Sequence, residues 1–259
     1  ALIITIVFYM RVTGDYSERT RLQLELEQKD AEISNRINII RNIATKVAEG
    51  DYTVRVDDKQ SDALGTVAGS LNSMARSLDE SFKLLSDKEW LQTGLTNLNN
   101  VMIGEKEIET LSAEVIATIA SYTESSSGAL YLLEGKDLRR SGGYAFAIER
   151  SRDSIKFSEG LLGQSVTSGK PVELKEIPDE SVTISFATGA VKPKHVIAIP
   201  IYDGYSIKGA MELATATSFN KRQLEFLTAA APNIGIAIST SQNRRRLQEL
   251  LEETQAQSE

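Results

Sequence analysis

The chain contains no cysteine. Disulfides, a thiol nucleophile and cysteine-based metal sites are therefore excluded. It contains one histidine, His195, which removes most metal-ligand clusters and most acid–base relays. His195 stands in "KPKHVIAIP", at the start of an expected strand, and reads as a structural residue. Long basic runs are also missing, and the net charge is −7 with a pI near 5.1. Nothing in that balance points to nucleic acid. No G-x-x-x-x-G-K-S/T loop and no D-x-G-x-G box is present, and neither are paired catalytic carboxylates or a nucleophile–base pair. The sequence thus offers no catalytic residue, no metal site and no resident cofactor.

Long apolar runs are scarce as well. The first ten residues, "ALIITIVFYM", are apolar, but a membrane-spanning helix needs roughly 20 such residues. A signal peptide fits poorly, because no initiator Met or basic region precedes the run. One reading is a buried strand or core helix. The other is the tail of a transmembrane helix at residues 1–10, with Arg11, Arg19 and Arg21 on the cytoplasmic side. The second reading sets the expected localisation at the inner (cytoplasmic) membrane, with residues after about 11 in the cytoplasm. The absence of cysteine suits that compartment.

What is present is helical rhythm. Residues 15–48 contain no glycine or proline. Ile33, Ile37, Ile40, Ala44 and Val47 recur at spacings of four and three, and Leu64, Val67, Leu71, Met74 and Leu78 resume the rhythm. "EGD" at 49–51 is a helix stop. Ile33 to Ala48 makes roughly 24 Å of helix, and the connector Gly50–Ser61 reaches roughly 40 Å when extended. The chain can therefore run back along the first helix and start the second in parallel. Tyr52, Val54 and Val56 alternate and would tack the connector into the groove between helices. Each helix has only a narrow apolar seam, so a second copy is expected to complete a parallel four-helix bundle. Met74, Leu78 and Phe82 are spaced four and four; that step reads either as a coiled-coil stutter or as ordinary phase drift.

With "AEGDYTVRV", "SDALG" and "LNSMARSL", residues 33–80 resemble a HAMP domain, the parallel relay bundle that follows the last membrane span of bacterial receptors. Two positions depart from the family pattern. Arg36 stands where the family often has proline, and Ala63 where it often has glutamate.

Further along, the expected elements change. Residues 62–89 read as helix, and a second helical region runs from about Trp90 to Tyr122 with a break near Gly104. "GALYLL", a turn at "EGKD" and "LRRSGGYAFAI" read as a strand pair. "SIKFSEGLLGQSVTSGKPVEL" reads as strand, short helix, loop and strand. "HVIAIPIYDGYSIKGAMELAT" is a hairpin turning at Asp203-Gly204. Asn220 and Gln223 form a capping box for a final helix carrying Leu224, Leu227, Ala231, Ile234 and Ile238. The segments "EWLQTGLTNLN", "GALYLL", "SEGLLGQSV", "AIPIYDGYSIKGAMELA" and "FLTAAAPNIGIAI" together resemble a GAF domain over residues 90–240, an antiparallel sheet flanked by helices that often serves as a sensor. Without cysteine, thioether attachment of a bilin is excluded. The closing "LQELLEETQAQSE" looks like the helix leading to a kinase core.

A ligand pocket is expected between the sheet and "SEGLLGQSV". In the strand Lys208–Ala214, Ala210, Glu212 and Ala214 share one face and Gly209, Met211 and Leu213 the other. A mid-strand carboxylate is costly when buried without a partner. Glu212 is thus either a structural ion-pair member or a polar handle in the pocket. Gly160, Leu161 and Gln164 begin the neighbouring helix, whose free N–H groups can hold an anion, and Phe146, Phe157 and Phe186 would supply apolar walls. Arg244–Arg246 read as a solvated coil surface.

The expected fold class is α+β. The expected organisation is a transmembrane tail at 1–10, a juxtamembrane helix at 11–32, HAMP at 33–85, GAF at 86–240 and a signalling helix at 241–259. The expected HAMP core adds Tyr52 and Val56 to the two helical stripes. The resemblance implies the sensory and relay part of a membrane-bound two-component sensor histidine kinase. Its expected partners are a second copy of itself, the membrane through its N-terminal segment, and a downstream kinase core with its response regulator. The alternatives are the same relay feeding another output, such as a cyclase or phosphatase, or a GAF domain acting only as a dimerisation spacer.

Overall fold

The computed structural model describes residues 2–145, 152–177, 183–186 and 189–258. The chain divides into two compact units, Ala1–Ser86 and Asp87–Glu259.

In the first unit, helix α1 (Leu2–Ala48) runs unbroken for 47 residues. It contains one glycine, Gly14, and no proline. Gly50, at φ +98°, ends it. There the Asp51 N–H donates to the Lys46 carbonyl at 3.0 Å and the Gly50 N–H to the Val47 carbonyl at 3.1 Å. This is a Schellman cap, which a residue without Cβ closes at little steric cost. Asp62 caps helix α2 (Ala63–Met102), its Oδ1 accepting the Gly65 N–H at 2.8 Å.

The connector alternates as expected: Val56 is buried, Tyr52 and Val54 are half-buried, and Thr53 and Arg55 are exposed. The Tyr52 ring stacks on Phe82 of α2 at 4.8 Å. The two helices run parallel, because contacts along them rise together in number. Arg36 meets Asp62, and Ile40, Ile43 and Ala44 pack on Ala68 and Leu71. Val47, Val56, Ala68, Leu71 and Ala75 form the buried core of this unit. Ile40, Ala44, Leu64 and Leu78 of the expected stripes are half-buried. Ile33, Ile37, Val67 and Met74 are 45–51% exposed.

In the second unit, α2 continues to Met102 with no interruption at Trp90. Gly104, at φ +103°, turns the chain into α3 (Ile108–Tyr122). The strands are β1 (Ser127–Glu134), β2 (Asp137–Tyr144), β3 (Ser154–Lys156), β4 (Val172–Lys175), β7 (His195–Asp203) and β8 (Ser206–Thr215). They form one antiparallel sheet in the order β3-β2-β1-β8-β7-β4. Helix α4 (Gly160–Ser168) lies between β3 and β4 in sequence. A separate two-stranded sheet pairs β5 (Ile184–Phe186) with β6 (Gly189–Val191).

Helix α5 (Lys221–Ser258) starts at the expected capping box. The Asn220 N–H donates to Gln223 Oε1 at 2.8 Å, and the Gln223 N–H donates back to Asn220 Oδ1 at 3.0 Å. One face of the sheet packs on α3 and α5 through Ile116, Ile119, Ile199, Met211, Leu213, Phe226, Leu227 and Ile234. Trp90 of α2 stacks on Tyr122 at 4.5 Å and meets Phe226 edge-on at 5.8 Å. Gly94 lies one helical turn on, where a Cβ would come within 2.3 Å of the Tyr122 ring. Among the described residues no helix is long and apolar enough to cross a membrane.

Candidate functional site

The face of the sheet turned away from α3 and α5 carries the candidate site. Period-two alternation places Ala210, Glu212 and Ala214 on that face of β8, while Gly209, Met211 and Leu213 take the other. In register, Glu212 pairs with Ala129 of β1 on one side and Ala198 of β7 on the other. A single carboxylate is thus surrounded on four sides by side chains of one carbon. Beside this patch, Leu162 and Val166 of α4 pack on Tyr131, Ala198 and Ala210. Leu161 packs against two apolar clusters at once, one with Tyr131 and Ala198 and one with Ile184, Val196 and Ala214.

Glu212 is partly buried. Among the described residues no hydrogen bond or ion pair reaches its carboxylate, and burial alone pushes its pKa up. The Tyr131 phenol is raised first by burial and then by the charge of Glu212. Its hydroxyl donates to the Arg152 carbonyl at 3.0 Å. Among the described residues the ion-pair reading of Glu212 finds no partner. A hydrogen-bond donor or a cation placed against Glu212 would satisfy its carboxylate, with Leu161, Leu162 and Tyr131 as its apolar neighbours.

The other expected pocket residues divide. Phe157 is half-buried and packs on the Tyr131 cluster. Gly160 starts α4 at φ +69° and is exposed. Gln164 is exposed on α4. Phe186 ends β5, and its side chain lies outside the described set. Phe146 lies outside the described residues altogether. At the N-terminus of α4, Glu159 takes the cap position without a side-chain cap bond and pairs with Arg152.

His195 is fully buried and tethers three segments. Its Nδ1 accepts the Phe219 N–H at 3.2 Å, so Nε2 carries the proton and faces Glu173 at 3.1 Å. Burial lowers its pKa, outweighing the Glu173 charge. Glu173 in turn is held low, chiefly by Lys175 at 2.9 Å. Among the described residues no cluster of His, Asp and Glu could hold a metal.

Three features escaped the periodicity. Arg36 engages Asp58 and Asp62, both at 2.7 Å. Asn72 pairs with the Val56 backbone. Tyr131 borders Glu212. Each joins residues far apart in sequence. The only local hint was Asp62, a cap residue directly before an apolar rhythm.

A parallel helix pair followed by an antiparallel sheet flanked by helices, matched by the HAMP and GAF families, is a sensory and signal-relay module. The chain belongs to the GAF domain family: that family's model matches residues 105–239, over half of the sequence. A HAMP domain model matches residues 32–80, in the same order along the chain. Among solved structures, the chain is similar to the GAF domain of a phosphoenolpyruvate-protein phosphotransferase from Coxiella burnetii, with a TM-score of 0.51 at 13% identity. That match covers 60% of this chain and 96% of the other. The GAF domain of the Acinetobacter phosphoenolpyruvate-protein phosphotransferase gives a TM-score of 0.51 at 12% identity, covering 60% and 97%. At those identities the likeness concerns the fold alone. No curated protein matches the chain.

Proposed function

We propose that this chain is the sensory and relay part of a membrane-bound two-component sensor histidine kinase, working as a parallel homodimer. Its N-terminal segment joins the cytoplasmic membrane, and α5 leads to a kinase core that addresses a response regulator. The observation that carries the dimer is the apolar seam left uncovered in one chain: Ile33, Ile37, Val67 and Met74 are each about half exposed. Covering such a stripe is what drives helices to associate. The kinase output rests on the resemblance of the domain order and of the closing helix.

The proposed input from the second unit is a small molecule in the Glu212 niche. Such a ligand shifts the helices only by its difference in affinity for two arrangements. Among the described residues Glu212 has no hydrogen-bond or ion-pair partner, which supports this reading over a bare spacer.

Single cysteines in the otherwise cysteine-free chain test the dimer. Symmetric disulfide cross-links at 67–67 and 74–74 in membranes are the expected result; their absence refutes the parallel bundle. A thermal-shift metabolite screen tests the niche. A ligand at 100 times its dissociation constant adds about 2.7 kcal/mol of stability. If nothing co-purifies or stabilises, the spacer reading stands. Membrane fractionation of the longer protein and a search for ATP-dependent phosphohistidine in it test the anchor and the kinase output.

A further inference from the structure

Arg36 lies in the C-terminal third of α1, and its guanidinium carries five N–H groups. All five find acceptors. Nε and Nη2 donate to Asp58 Oδ2 at 2.9 and 2.7 Å. Nη2 also donates to Asp62 Oδ1 at 2.8 Å. Nη1 donates to Asp62 Oδ2 and to Gln60 Oε1, both at 2.7 Å. One side chain of α1 thereby holds two connector residues and the cap of α2. The Gln60 amide group donates to Glu32 Oε1, one turn earlier on α1, at 2.7 Å.

Asp62 serves both helices. The same Oδ1 that takes Arg36 also takes the Gly65 N–H at 2.8 Å. Gly65 lets the connector lie flat on this turn, since a Cβ there would stand 1.8 Å from the Gln60 carbonyl. The Arg36 and Asp58 side chains are only 12% and 8% exposed. Arg36 holds the Asp62 carboxyl well below the usual range, and the two aspartates hold the guanidinium firmly charged.

This joint differs in kind from the apolar packing beyond it. Ile40, Ala44, Ala68 and Leu71 make contacts without direction, so they tolerate small slips of one helix along the other. The Arg36 fork does not. A shift of one helix by a fraction of a turn breaks several of its bonds together, because the planar guanidinium cannot follow two carboxylates in different directions.

We propose that Arg36, Asp58 and Asp62 form an ionic latch that sets the axial register of α1 against α2, and that the bundle changes arrangement only by opening it. The purpose assigned to the latch rests on the relay reading above. Its existence does not, and it is tested without a signalling readout.

Ser34→Cys and Ser70→Cys, both exposed, place spin labels on α1 and α2. Pulsed electron resonance on labelled chain diluted with unlabelled chain reads the distance within one copy. The unmodified cluster gives one narrow distance. Arg36→Gln broadens or shifts it, and amide exchange over residues 60–66 speeds up about tenfold. Asp62→Asn keeps a good cap residue but loses the charge, and it acts in the same direction. Arg36→Lys keeps the charge but not the fork, and it falls between the parent and Arg36→Gln. If Arg36→Gln and Asp62→Asn leave both distance and exchange as in the parent, the latch is refuted. If Arg36→Gln loses helix content outright, Asp62→Asn alone decides. Latch effects without the symmetric 67–67 and 74–74 cross-links uphold the latch and remove the relay bundle; cross-links with no latch effect do the reverse.

Discussion

The Asn72 carboxamide closes on both backbone groups of Val56: its Oδ1 accepts the Val56 N–H at 2.8 Å, and its Nδ2 donates to the Val56 carbonyl at 2.9 Å. An extended connector packed beside two helices has no strand to pair with. Asn72 supplies one residue's worth of strand-like bonding, so that Val56 can bury its side chain without stranding its own polar groups.

Asn72→Ala leaves both Val56 groups unpaired and is expected to cost about 1–3 kcal/mol in chemical denaturation. Asn72→Asp keeps the acceptor but loses the donor to the Val56 carbonyl. It should be destabilising at neutral pH, and protonation at low pH should recover part of the loss. Equal stability of Asn72→Ala and the parent would remove the connector role.

Leu71 is 8% exposed in the core shared with Val56 and Ala68. Leu71→Asp places an unpaired charge there and is expected to cost about 3 kcal/mol or more. Amide protection from Arg36 to Leu78 should collapse, together with the 67–67 and 74–74 cross-links. Retained cross-links would show that the seam forms without this core.

Two glycines permit close approach, and they should respond unequally to alanine. At Gly235 a Cβ would stand 2.1 Å from the Tyr202 carbonyl oxygen. At Gly94 the first obstacle is the Tyr122 ring edge at 2.3 Å. Rings can shift by small rotations, whereas the β7 carbonyl is held within the sheet. Gly94→Ala is expected to cost about 1–3 kcal/mol. Gly235→Ala should cost more, despite a helix-propensity gain of up to about 1 kcal/mol. Thermal denaturation of the two variants ranks them.

Burial raises the Glu212 pKa above its unfolded value, so the folded state prefers the protonated form. For such a group, stability is fully present below the unfolded value, about 4.3, and is lost as pH rises towards the folded one. Glu212→Gln should therefore be more stable than the parent at pH 7, with the gap closing below about pH 4. In the ligand reading the same variant loses the thermal shift given by any metabolite that binds. A variant less stable than the parent at pH 7 would mean that a partner satisfies the carboxylate.

Local signals were legible in the sequence because their physics reaches only a few residues. The alternation of β8, which set Glu212 apart from Met211 and Leu213, follows from strand geometry alone. The helix stop at Gly50 and the Asn220–Gln223 box lie within one turn of the ends they mark. The parallel return of α2 followed from comparing connector reach with helix length. The long first helix was legible for the same reason: residues 15–48 hold no glycine or proline, and α1 runs unbroken from Leu2 to Ala48.

Tertiary structure decided the rest. Periodicity marks an apolar stripe, but it cannot say which edge meets the chain's own second helix. Ala68 and Ala75 lie inside and Ile43 packs half-buried against the Ala68 cluster, while Ile33, Ile37, Val67 and Met74 remain half exposed. The short β5–β6 pair gave no periodic signal, because three residues are too few for one. Weakening heptads at Trp90 suggested a new helix, but a fall in amphipathic contrast reflects a change of surroundings, not of backbone; α2 runs on and is claimed by Tyr122 and Phe226. Arg36 with Asp62 and Val56 with Asn72 join residues 26 and 16 positions apart. Directional bonds of about 3 Å exist only once packing has brought such groups together, and the sequence alone carries no trace of that approach.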